Sequence, residues 1–250
     1  LFLLRSSHLL SKEDTLNFTK NFGIPVNQSP EECFIFEVKN EGLDTKHPKF
    51  RGPSSNQRLT FHTDRCDIIV FHCIRQASEG GINQLVHADT LYTILQKENP
   101  QALKTLESNF SYKRHNADPA HPFTTYELPV FDTENGARAI TLMTYLIEKA
   151  DKDPDLPNLT SEQRTALDLL QEICRRPENQ LEITLQPGDF LFLNNIKMLH
   201  SRTAFKDSEA SRLYYRVWLS VPCGQQLPRC FADLFGSVKA GSVRGGFRKV

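Results

Sequence analysis

Leu59-Thr60-Phe61-His62-Thr63-Asp64-Arg65-Cys66-Asp67-Ile68-Ile69-Val70-Phe71-His72-Cys73 is the stretch on which the reading of the fold turns. From Asp67 to Cys73 it is apolar and rich in β-branched residues, the composition of a buried strand. Leu59 to Asp64 reads as another strand. Residues two apart on a strand project from the same side. His62 and Asp64 therefore converge while Thr63 faces away, a spacing that suits two ligands of one metal ion. His-x-Asp occurs often by chance, and a single histidine is more often a satisfied polar or core residue, so the rest of the chain must supply the other parts of a site.

On the N-terminal side, residues 1–10 read as a strand and Ser11-Lys12-Glu13-Asp14 as a helix start, with a Ser cap and acids in the first turn. Leu16, Phe18 and Phe22 form its apolar stripe, and Gly23 followed by Pro25 ends it. Cys33 to Val38 reads as a strand. Residues 39–58 are polar and contain Gly42, Pro48, Gly52 and Pro53. They predict a long loop leading directly to His62, which makes Ser55 and Asn56 candidates for substrate contact.

On the C-terminal side, Gly80-Gly81 turns the chain into a strand at 82–86. Helices follow over Leu91–Gln96 and from Asn99-Pro100. Short strands are expected over 110–145, where Arg138 and Tyr145 are further substrate-pocket candidates. Thr160-Ser161-Glu162-Gln163 opens a helix to about Arg175, with Leu167, Leu170, Ile173 and Cys174 on its apolar side. Strands return at Leu181–Leu185, Phe190–Leu193 and Arg212–Val221. No repeat or linker divides the chain. The expectation is one domain over 1–250 with a helical insert at about 146–180, of class α+β and mainly β, either a jelly roll or a sandwich.

Composition narrows the function classes. Thirty basic and thirty acidic residues cancel, so no net field draws the chain to nucleic acid or an anionic membrane, and neither is expected as a partner. No apolar run reaches the roughly 18 residues of a membrane span. Six cysteines without a CxxC pair suggest free, buried thiols in a reducing, cytoplasmic setting. The chain does not begin with Met, so a removed targeting segment stays open. Nothing in the sequence sets an oligomeric state.

Two further features join the His62/Asp64 pair. Leu185-Gln186-Pro187-Gly188-Asp189, an apolar strand and Asn194-Asn195 bring the chain to His200, a third metal-ligand candidate. On Arg212-Leu213-Tyr214-Tyr215-Arg216-Val217-Trp218-Leu219, residues 212, 214, 216 and 218 share one face. Buried guanidiniums are costly unless they meet anions, and arginine pairs bidentately with carboxylates, which suits a dicarboxylate ligand. Arg216 has two readings, a ligand or substrate anion and an internal acid. Trp218 reads as core, and His72, His87, His115 and His121 lack a comparable constellation.

Taken together, His62-Thr63-Asp64, Gly80-Gly81, Pro187-Gly188-Asp189, Asn194-Asn195, His200-Ser201-Arg202 and Arg212-x-x-x-Arg216 resemble the TauD/TfdA-like Fe(II)/2-oxoglutarate-dependent dioxygenase superfamily. The similarity is closer to its clavaminate-synthase-like and γ-butyrobetaine-hydroxylase-like branch, covers about residues 55–222, and extends to Val243-Arg244-Gly245-Gly246. The resemblance implies a double-stranded β-helix (jelly-roll) core with inserted and flanking helices, and Fe(II) held by His62, Asp64 and His200. It implies 2-oxoglutarate as cosubstrate, its distal carboxylate meeting Arg212, with Arg216 as a supporting contact. Asn83 stands where the family often has a Thr or Ser that holds the cosubstrate. The implied reaction consumes O2 and 2-oxoglutarate, releases succinate and CO2, and most simply hydroxylates a C–H bond. Related halogenases have a small residue at the carboxylate position, so Asp64 points away from halogenation.

The substrate class stays broad: an amino acid, an amine or betaine, or a specialised metabolite. The alternative is a non-catalytic jelly-roll protein that binds or senses a metal or small ligand, against which the intact ligand set and Arg212 argue. A zinc hydrolase would leave the arginine pair unexplained and lacks an evident general base.

Overall fold

The computed structural model describes residues 1–29, 31–42, 52–114, 123–134 and 136–247. His115, His121 and residues 43–51 of the expected 39–58 loop lie outside the described residues. The chain begins with β1 (Phe2–Leu4), α1 (Lys12–Thr19), β2 (Ile24–Val26) and β3 (Phe36–Val38). Then come β4 (Ile68–Arg75), β5 (Glu79–Gly80), β6 (Asn83–His87), α2 (Ala88–Glu98) and α3 (Pro100–Leu106). The middle holds β7 (Phe110–Lys113), β8 (Thr125–Leu128), β9 (Phe131–Glu134), β10 (Ala137–Ile140), α4 (Thr144–Asp151) and α5 (Ser161–Arg175). β11 (Leu181–Ile183), β12 (Phe190–Asn194), β13 (Met198–Arg202), β14 (Phe205–Lys206), β15 (Leu213–Ser220) and α6 (Ala232–Phe235) complete it.

A six-stranded sheet runs β1-β12-β4-β15-β2, with β3 also on β15, and a three-stranded sheet runs β11-β6-β13. Period-2 alternation sorts their side chains. Ile69, Phe71 and Cys73 of β4, Leu191 and Leu193 of β12, and Tyr214 and Trp218 of β15 share one core with Leu85, Ile183 and Met198 of the smaller sheet. On the larger sheet's other face, Val70, Phe190, Phe192, Val217 and Leu219 are covered by Leu16 and Phe18 of α1. Val86 and Leu199 of the smaller sheet pack against α2, α3 and α5. Both sheets are thus covered outside and apolar between, so any polar side chain aimed inward needs a partner there.

Local chemistry accounts for the helix ends. Ser11 Oγ accepts the Asp14 N–H at 3.1 Å, and Thr160 with Gln163 forms a complete capping box on α5. His87 caps α2 by accepting the Asp89 N–H at 3.2 Å. The structure departs from the sequence reading in three places. Residues 59–64 form only an isolated bridge at His62 rather than a strand. Tyr145 lies on α4, so the strand run ends at Ile140. Ile24-Pro25-Val26 is a strand despite its proline, because β2 sits at the sheet's end, where a missing N–H costs nothing.

Candidate metal centre

His62 is carried to the site by irregular backbone laid along β13. Leu59 N–H donates to Arg202 O at 3.0 Å, and His62 and His200 exchange backbone bonds of 3.0 and 2.9 Å. Ser201 Oγ fastens the same segment by donating to Leu59 O at 2.6 Å. Opposed residues of an antiparallel pair project to one side, so the two imidazoles meet with ring centroids 4.2 Å apart. One potential ligand atom from each of His62, Asp64 and His200 lies within 4.8 Å of the other two. The three predicted residues come together, although the predicted strand does not form.

Asp64 is fixed by its backbone and its carboxylate. Its N–H donates to Asn195 Oδ1 at 2.8 Å, while Asn195 Nδ2 donates to Asp64 O at 2.6 Å and Cys66 O at 2.8 Å. Thr63 is tied to the neighbouring segment, its Oγ1 accepting the Leu142 N–H at 3.0 Å. Asp64 Oδ2 accepts from Arg216 Nη1 at 3.1 Å and Trp218 Nε1 at 3.0 Å. Arg216 in turn donates Nε–H to Gln28 Oε1 at 2.9 Å. Arg216 therefore takes its internal-acid reading, and that acid is the candidate ligand. Trp218, expected as core alone, also orients the carboxylate.

The electrostatics favour an ionised Asp64 and a neutral His200. Burial pushes the Asp64 carboxyl up, but its surroundings, the Arg216 guanidinium foremost, outweigh it and hold the carboxyl below its usual range. Burial, reinforced by His62, pushes His200 down to about 3, so its imidazole is neutral at physiological pH. His62 Nδ1 lies 2.8 Å from Thr60 O. A carbonyl can only accept, so Nδ1 carries a proton and Nε2 is the nitrogen left to face a metal. His200 Nδ1 is buried with no hydrogen-bond partner, so this ring is not saturated by the protein's own network. Two imidazoles and one carboxylate are the donor set of a facial-triad Fe(II) site. The residues fit that ion.

Arg212 is buried at 1% exposure, its Nη1 without a partner. Its Nε donates to Gln76 Oε1 at 3.3 Å, and its guanidinium lies 3.6 Å from the Tyr214 ring centroid. Gly81, at φ +67°, makes room for it: a Cβ there would come within 3.0 Å of Arg212 Nε. Asn83 is also buried and donates Nδ2–H to Ile183 O at 3.1 Å. Asn83 and Arg202 are register partners across β6 and β13.

A cavity of about 300 Å³ opens on His62, Asp64, Arg216 and Trp218, and Tyr145 lines it too. Ser55 and Asn56 lie off this cavity. Ser55 Oγ closes a local turn on Gly52 O at 2.9 Å, and Asn56 O accepts the Phe205 N–H at 3.0 Å. The same loop instead contributes Gly52 and Pro53, and the segment after it contributes Leu59 and Thr60. Arg138 pairs with Asp89 at 2.7 Å, away from the cavity. Sequence reasoning missed Gln28, Arg65, Arg114 and Phe247 on the cavity wall. Arg65 adjoins Asp64 and was open to detection; Gln28, Arg114 and Phe247 reach the site only through tertiary folding.

Residues 1–218 match the family model described as "Taurine catabolism dioxygenase TauD, TfdA family". The chain belongs to that family. It is 27% identical over 230 residues to FR-33289 synthase of Streptomyces rubellomurinus (strain ATCC 31215), covering 88% of this chain and 67% of the relative. It is 30% identical over 152 residues to mitochondrial trimethyllysine dioxygenase of Gallus gallus, covering 58% of this chain and 36% of the relative. Among solved structures, an asparagine oxygenase in complex with Fe(II), 2S,3S-3-hydroxyasparagine and succinate superposes with TM-score 0.58 at 17% identity, over 79% of this chain and 61% of that one. The chain thus spans from about a third to two thirds of these relatives' lengths. The shared fold with these oxygenases mixes strands and helices, as observed here. Among the described residues no helix is long and apolar enough to cross a membrane.

Proposed function

We propose that this chain is an Fe(II)/2-oxoglutarate-dependent dioxygenase that hydroxylates a C–H bond of a small molecule. The observation that carries the reading is the convergence of His62, Asp64 and His200 within 4.8 Å, with His62 and Asp64 lining the cavity. The two facing sheets are read as the two halves of a double-stranded β-helix, with 1–250 acting as one domain, α4 and α5 as its helical insert, and the cytoplasm as its setting.

His62, Asp64 and His200 would hold the iron, which when bound supplies the oxidising chemistry that consumes O2 and 2-oxoglutarate and releases succinate and CO2. The chain's own residues do the positioning. Asn195, Trp218 and Arg216 fix Asp64, and Thr60 O sets the His62 tautomer. Arg212, buried with an unpartnered Nη1, is the receptor for the cosubstrate's distal carboxylate, and Asn83 lies on the same inner surface. Arg216 and Tyr145 line the substrate cavity, and the apolar wall excludes water from the reacting bond. Ser55 and Asn56 act on substrate indirectly, as part of the loop whose neighbours Gly52 and Pro53 reach the cavity.

Two of these proteins, trimethyllysine dioxygenase and asparagine oxygenase, name an amino acid, and an amino acid or a betaine is proposed here as the substrate class. The test is succinate release with Fe(II), ascorbate and 2-oxoglutarate across libraries of amino acids, betaines and other small carboxylates. Stimulation by one chemical group identifies the substrate class. A protein that takes up iron yet releases no succinate with any candidate is a binding protein instead.

A further inference from the structure

Arg202 lies two residues beyond His200 on β13, so both side chains project to the inner side of the strand. It is 4% exposed. Its Nη2 donates to Ser55 O at 2.7 Å and to Gln57 O at 2.6 Å, which fastens the segment leading into His62. Its Nε and Nη1 are buried with no hydrogen-bond partner. Arg202 and Arg212 both contact the Phe205 ring, with guanidinium carbons 4.7 and 5.3 Å from its centroid. Two buried cations therefore sit around one aromatic ring, with three N–H-bearing nitrogens lacking acceptors. Asp207, five residues before Arg212, accepts the Arg212 backbone N–H on Oδ1 at 2.7 Å, and its other oxygen accepts from Asn40 Nδ2 at 3.4 Å.

An arginine that served only to staple two carbonyls would need one Nη group. Keeping the remaining guanidinium N–H groups in a dry site beside a second buried cation is unfavourable without an anion. The cluster also adjoins Asn83, the register partner of Arg202. We infer that Arg202 is a second guanidinium for the distal carboxylate of the dicarboxylate cosubstrate, alongside Arg212, and that its grip on Ser55 and Gln57 couples cosubstrate binding to order in the 52–58 segment. This inference rests on the cosubstrate reading above. It assigns Arg202 a binding role distinct from metal ligation, and it explains why the loop carbonyls are held by a cation rather than by a neutral side chain.

The test compares 2-oxoglutarate with pyruvate, a 2-oxo acid lacking the distal carboxylate. Each is titrated calorimetrically into the Mn(II)-loaded full chain under anaerobic conditions. Arg202→Gln is expected to weaken 2-oxoglutarate binding about 10- to 100-fold, the loss of a charge-assisted contact, and to leave pyruvate binding unchanged. Arg202→Lys, which keeps the charge without the planar fork, should fall between, and it carries the test if the Gln variant does not fold. In a second readout, 2-oxoglutarate should slow tryptic cleavage after the exposed Arg58 in the wild type and fail to do so in Arg202→Gln. Unchanged 2-oxoglutarate affinity, or equal losses for both acids, overturns the inference and leaves Arg202 a structural staple. A wild-type chain that takes up Mn(II) but does not bind 2-oxoglutarate overturns the cosubstrate reading itself.

Discussion

Trp218 donates its indole N–H to Asp64 Oδ2 at 3.0 Å, so one side chain both walls the cavity and aims a candidate metal ligand. Trp218→Phe keeps the aromatic volume and removes that donor. Losing such an orienting bond costs metal affinity about 10- to 100-fold. Metal titration should show this while the far-ultraviolet circular dichroism stays that of the wild type. Equal affinity in the two proteins would mean that Arg216 alone suffices to orient Asp64.

Asn195 supports the same ligand from the backbone side. Its three side-chain bonds, to Asp64 N–H, Asp64 O and Cys66 O, hold the turn after His62. Asn195→Ala leaves buried backbone groups unpaired and should destabilise the protein by about 2–4 kcal/mol. Urea unfolding measures the loss, and metal affinity should fall with it. A variant as stable as the wild type would show that solvent replaces the amide.

The C-terminal segment is bound into the site by a buried ion pair. Arg244 Nε donates to Asp67 Oδ1 at 2.7 Å with both side chains almost fully buried, and Asp67 Oδ2 also accepts the Val221 N–H at 3.0 Å. Arg244→Met removes one partner and strands the other charge, a change that costs about 3–5 kcal/mol. The adjoining Phe247, which lines the cavity, should loosen as well. Denaturant unfolding that gives wild-type stability for the variant would contradict this.

His72 gives a pH dependence. Burial holds its imidazole at about 4, against an ordinary value near 6.5, while Thr15 Oγ1 lies 2.8 Å from its Nδ1. The unfolded chain protonates this ring first. Its contribution is therefore whole above about pH 6.5, falls as pH drops toward 4, and is fully lost below that. The double variant Thr15→Val/His72→Leu removes the titration and its partner together. Its melting temperature should depend less on pH between 7 and 4 than the wild type's does. Parallel pH profiles would place the acid sensitivity elsewhere.

Much of the site could be read from residue types and spacing. His-x-Asp and the alternating Arg212/Arg216 face carry local periodicity, His200 follows a distinctive turn and strand, and buried ionisable side chains have few uses without a partner. The route to His62 could not be read, because an isolated bridge and a strand have the same local pattern, and what shapes residues 59–62 is pairing with β13. Tyr145 moved from strand to helix for a similar reason: α4 has no side-chain cap bond to announce its start. Pro25 hid β2, since only the finished sheet shows that it lies at an edge. The roles of Asn195 and Arg202 depend on partners more than 100 residues away, which spacing cannot supply.

Visible absorption of the anaerobic Fe(II)-loaded protein on addition of 2-oxoglutarate tests the central claim most directly. If His62, Asp64 and His200 form the iron site, the wild type develops a weak metal-to-ligand band and His62→Ala does not. A band of undiminished intensity in His62→Ala would contradict the assignment.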